Sequence, residues 1–176
     1  YDRAASLYAE VDGKISKRAI VSRYSQVRSL AHAATPQSLV DAQALLSHTD
    51  TEAQSLAMSD PEVRYRAALA RGDYHFQRME IAPARSALET AFQLQRTLHP
   101  DDLHAAAWIR GTLADTVLRG GDAATAERLI KELMVEPRMT AQSLGSGIIA
   151  SQEALLARAL RAQARYEEAL KLATSA

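Results

Sequence analysis

LADTVLRGGDAATAERLI, Leu113 to Ile130, decides how this chain is read. The small residue Ala114 lies midway along a predicted helix from about Leu103 to Arg119, and Gly120-Gly121-Asp122 makes a tight turn. Ala126 then stands early in a returning helix, Ala123 to Met134. Outward from this stretch the layout recurs. Alanines fall at 42, 84, 126 and 169, in steps of 42, 42 and 43 residues, and a second series, Leu30, Gly72, Ala114 and Ala157, runs twelve residues ahead of the first. Two series in register at one spacing argue for stacked helical hairpins, an all-α solenoid.

With 176 residues, 47% of them hydrophobic, the chain can bury one respectable core, and a single domain is expected. Its 21 basic and 21 acidic residues cancel. That leaves no broad positive field for phosphate backbones, so no nucleic-acid partner is expected. The absence of cysteine removes disulfides, thiolate catalysis and sulfur-ligated metals. It fits cytoplasm or periplasm, with the cytoplasm favoured. No run approaches the roughly eighteen apolar residues of a membrane helix, so no membrane contact is expected within this segment. Tyr1 in place of Met and a last helix that stops at Ala176 suggest a piece of a longer protein.

Punctuation divides the chain further. Residues 1–13 form the remnant of an earlier hairpin, closing at Asp12-Gly13, and residues 14–48 form a divergent hairpin. In it a helix from about Ser16 to Ala34 ends at Thr35-Pro36, and its partner runs to about Ser47. Thr49 to Asp60 is either a short extra helix or an ordered loop. Asp60-Pro61-Glu62, an N-cap with proline and acid in the first turn, opens a repeat over 61–98, with helices to about Arg78 and from Ile81 to Leu98. The next repeats occupy 102–135 and 143–176. Glu136-Pro137 separates them, and the last pairs a helix from about Ser143 to Ala162, weakened at Gly145-Ser146-Gly147, with Tyr166 to Thr174.

Side by side, Arg66 to Leu98, Trp108 to Met134 and Ser151 to Ala173 resemble the tetratricopeptide repeat family. Each has the small residue (Gly72, Ala114 or Ala157), a turn (Met79-Glu80-Ile81, Gly121-Asp122-Ala123 or Ala164-Arg165-Tyr166) and then the alanine of the second helix. Small residues let helix axes approach where a larger side chain would overpack at roughly 1 to 3 kcal/mol. The period exceeds the family's usual thirty-four or so residues. It is similar to the long-period subclass of kinesin light chains and bacterial signalling proteins, in which histidine-proline-aspartate precedes a repeat, as His99-Pro100-Asp101 does here. Leu30 departs from the pattern, being too large for the close contact.

The resemblance implies a right-handed superhelical solenoid of antiparallel hairpins in which the first helix of each pair lines a concave groove. Counting faces from Gly72, Ala114 and Ala157 then selects Arg66, Asp73, Phe76, Gln77, Trp108, Thr112, Asp115, Arg119, Arg158 and Arg161. Aromatic and arginine side chains supply contact area and directional donors, the composition of a binding hot spot. The bland alternative is that Trp108 packs against the next repeat and the arginines form a solvated face. His99, Asp101, Asp102 and His104 hold metal-capable ligands, from which a small metal-dependent hydrolase is conceivable, yet helix capping explains both aspartates. Ser146 between two glycines lacks the spacing of a nucleophile elbow. No catalytic residue, cofactor or metal is therefore expected.

The expectation is a non-catalytic module that takes a peptide or protein segment, its oligomeric state left open. The resemblance places it in a bacterial signalling, regulatory or secretion protein. The alternative is a structural or oligomerisation part of a larger enzyme such as a kinase or protease, with the groove buried against the protein's other domains.

Overall fold

The computed structural model describes residues 3, 6, 7, 16–136 and 140–175, and these are all-helical without a strand. The expected remnant helix over 1–13 lies outside them, save that Arg3, Ser6 and Leu7 are helical, and Pro137 also lies outside. The chain divides into two compact units, Tyr1–Leu98 and His99–Ala176.

In the first unit the described helices are α1 (Lys17–Ala33), α2 (Pro36–Ser59), α3 (Pro61–Gln77) and α4 (Ile81–Leu98). Local chemistry sets their ends. Ser16 caps α1 by accepting from the Ala19 N–H at 3.1 Å, and Thr35 and Ser38 form a reciprocal capping box under Pro36. Asp60 accepts from the N–H groups of Glu62 and Val63 at 2.9 and 3.2 Å and also binds Lys17 at 2.8 Å. The Lys17 ammonium, with those N–H groups, holds the Asp60 carboxyl below its ordinary range. Two hairpins result, α1–α2 and α3–α4, with α3 lodged against α1 and α2. Ile20, Tyr24, Val27, Leu46, Val63 and Tyr74 form the core between them, and each such side chain stabilises by roughly 1.5 to 3 kcal/mol on burial.

Thr49 to Asp60 is neither loop nor separate helix but the continuation of α2, which runs unbroken for 24 residues. Leu46, Thr49 and Ala53 are buried at helical spacing. Asp50 accepts from the Tyr24 hydroxyl at 2.8 Å and from Arg71 at 2.9 Å, and Glu52 binds Arg23. These partners on α1 and α3 give the second half of α2 its hold.

The second unit holds α5 (Leu103–Arg119), α6 (Ala123–Met134), α7 (Ala141–Leu144), α8 (Ser146–Ala162) and α9 (Tyr166–Ser175). Asp102 and Asp122 cap α5 and α6 by accepting from Ala105 and Thr125 N–H groups at 2.9 and 3.0 Å. α8 packs on both helices of the α5–α6 hairpin and pairs with α9. The single helix expected from about Ser143 is broken at Gly145, whose φ of 85° no L-residue adopts cheaply. The broken-off turn α7 is useful: Leu144 is 4% exposed and joins Ala106, Ala107 and Leu133 in a core covered by Leu103, Ile148 and Ile149.

Three of the hairpin turns share one device. Met79, Gly121 and Ala164, spaced 42 and 43 residues (79 to 121, 121 to 164), have φ of 59°, 89° and 60°. The next N–H in each reaches back five residues, Glu80 to His75, Asp122 to Val117 and Arg165 to Leu160, at 2.9 to 3.0 Å. This is the left-handed cap that satisfies the last carbonyls of a helix and turns the chain.

Candidate binding surface

The repeat places a carboxylate one residue beyond the small position, Gly72-Asp73 in α3 and Ala114-Asp115 in α5. Both aspartates are spent on joining first helices to each other. Asp73 is 1% exposed; Arg28 Nε of α1 donates to its Oδ2 at 2.7 Å, and His32 Nε2 lies 3.2 Å from the same oxygen. Asp115 Oδ2 accepts from Arg119 Nη2 at 2.9 Å, and Oδ1 lies 3.0 Å from Nη2 of Arg158 on α8. Oδ1 of both aspartates is buried without an aligned hydrogen bond. The two carboxylates are ties inside the units, and Asp73 is sealed from any partner.

The other expected groove residues separate by unit. In the first, Arg66 binds Glu62 at 2.7 Å with its guanidinium 5.2 Å from the Tyr65 ring centroid, and Phe76 and Gln77 are half-buried at the end of α3. In the second, Trp108 is half-buried on α5, and the Thr112 hydroxyl donates to its carbonyl at 2.9 Å, so that hydroxyl is used within the helix. Arg119, Arg158 and Arg161 come together. With Leu118, Ala162 and Tyr166 they line a groove of about 490 Å³ between α5 and the end of α8. Arg119 and Arg158 both reach Asp115, whereas Arg161 has no ion pair among the described residues, so the three guanidiniums give the groove a positive surplus.

A second groove of the same unit, also about 490 Å³, is one that residue counting missed apart from Arg158 and Arg161. Ala150, Glu153, Ala154 and Ala157 of α8 line it with Tyr166, Ala169, Leu170 and Leu172 of α9. Its signal lay in the repeat itself, because these positions correspond to a face that the preceding hairpin buries.

Glu127 is structural. Glu127 of α6 accepts from Lys131 at 2.5 Å, from Gln163 at 2.8 Å and from Arg165 at 2.6 Å, bonds that hold its carboxyl at about 2 and tie α6 to the α8–α9 turn. The suggested metal-capable cluster serves the chain's turn: the Asp102 N–H donates to the His99 carbonyl and the Asp102 side chain caps α5. Among the described residues no group of three histidines or carboxylates is arranged to hold a metal ion. Ser146 is exposed at the first position of α8.

No family model, no curated protein and no solved structure matches the chain.

Proposed function

We propose that this chain is a non-catalytic interaction module of the tetratricopeptide kind, its helical hairpins belonging to a right-handed solenoid. Its first helices take a peptide or protein segment, within a bacterial signalling, regulatory or secretion protein. The observation that carries the reading is the groove of Arg119, Arg158 and Arg161 beside Tyr166. Arginine is costly to gather without anions, and three of them over one carboxylate favour a segment bearing acidic residues. Trp108, half-buried one turn below Thr112 on the same helix, supplies the aromatic anchor. Such a groove binds in the micromolar range, about −8 kcal/mol, so losing one anchor abolishes measurable binding.

The test is quantitative capture from a bacterial lysate by the chain and by a Trp108→Ala, Arg119→Glu variant whose circular dichroism shows the native helix content. A protein retained by the first and lost by the second is the expected result. Equal retention removes the groove from the account, and an empty result from both moves the groove to an intramolecular, structural role.

A further inference from the structure

The α5–α6 hairpin and the α8–α9 hairpin carry the same face 43 residues apart, and only the first is covered. On α5–α6, Ala107, Ala114 and Ala126 are 0% exposed and Ala123 and Glu127 are 9% exposed, with α8 packed over both helices. At the matching positions of α8–α9, Ala150 is exposed, Ala157 half-buried, and Tyr166 and Leu170 are both 66% exposed; Ala169, the match of Ala126, is buried at 4%. The uncovered face of α8–α9 thus matches one that takes a helix on α5–α6.

Its charges say which helix. Glu153, Ala157 and Arg161 follow one another at four-residue steps on α8, so they share a face, with the charges about 6 Å to either side of Ala157. Among the described residues neither Glu153 nor Arg161 has an ion-pair partner. One acid and one base, equidistant from a small residue, are self-complementary under a two-fold rotation, which exchanges residue i with j and j with i. We infer that the outer face of α8 and α9 is a two-fold interface between two copies of this chain. The α8 helices cross antiparallel at Ala157, Glu153 of each protomer meets the partner's Arg161, and Tyr166 and Leu170 are buried at the flanks. This interface shares Arg161 and Tyr166 with the arginine groove, so a segment held there would compete with it, while Trp108 and Arg119 stand outside it; self-association of the chain alone needs no captured segment, which keeps the two readings apart.

The face is small. Seventeen residues of α8 beside α9 make a patch of about 25 by 20 Å, roughly 500 Å² per partner against the roughly 800 Å² of a standard interface. A dissociable dimer is therefore expected, and sedimentation velocity of the full chain from about 1 to about 500 μM should show the mass rising toward twice the monomer's. Glu153→Arg or Arg161→Glu alone sets like charges opposite each other twice and should weaken association about tenfold or more. The double variant E153R/R161E should restore it, and an equimolar mixture of the two single variants should form the mixed dimer in preference to either homodimer. Leu170→Asp, with helix content unchanged, should leave a monomer. A wild-type chain monomeric throughout that range overturns the proposal. Single charge variants that associate like the wild type overturn it equally.

Discussion

Met79 and Ala164 do with ordinary side chains what Gly121 does with none, holding φ near 60° at the end of a first helix. A Cβ in the left-handed region costs roughly 1 to 2 kcal/mol. Met79→Gly and Ala164→Gly are therefore expected to raise unfolding free energy by about 1 kcal/mol each, and Gly121→Ala to lower it by a similar amount, as read from urea midpoints. At Gly72 the reasoning runs the other way, although alanine is the better helix former. A Cβ there would sit 2.7 Å from Cδ2 of Leu88, a side chain 0% exposed and without room to retreat. Gly72→Ala should destabilise by about 1 to 3 kcal/mol. The repeat series showed that a small residue belongs at this position. It could not show that the neighbour is Leu88, because the meeting of α3 and α4 is a property of packing.

Glu127 supplies the acid sensitivity. Its carboxyl titrates at about 2 in the folded chain against an ordinary 4.5, held down chiefly by Lys131 and then by Gln163 and Arg165. A folded value below the unfolded one means the contribution is complete above about pH 4.5 and lost as pH falls toward 2. Glu127→Gln should flatten that part of the stability–pH curve and cost about 1 kcal/mol at neutral pH, a modest figure because Lys131 and Arg165 reach it from the surface.

At the scale of elements, legibility followed the range of the forces. Ile81–Leu98, Leu103–Arg119 and Ala123–Met134 have the bounds their sequence signals give, since Asp102, Asp122 and the turn residues act within a few positions. The second half of α2 and the turn α7 were not legible. Asp50 and Leu144 are held by groups far along the chain, Tyr24 and Arg71 for the one, Ala106, Ala107 and Leu133 for the other. If α2 is one helix, amides 50 to 59 should exchange with solvent no faster than amides 40 to 48. Tyr24→Phe, which removes the hydroxyl from Asp50, should loosen the second half selectively while costing about 1 kcal/mol overall.

At the scale of the molecule, two compact units divide the residues that a single concave groove was expected to gather. The aspartates proved to be internal ties, a role that face counting cannot distinguish from recognition because a tie and a contact occupy the same helical angle. The arginines of α5 and α8 converge because Asp115 draws two of them together. A positively charged groove beside Trp108's helix is thus what the account offers a partner. The measurement closest to that claim is the dissociation constant of the captured segment, titrated against the folded chain and against Arg119→Glu at low and high salt. The account predicts at least about a tenfold loss on substitution and weakening of the wild type by salt. Equal constants for the two proteins, unmoved by salt, would contradict it.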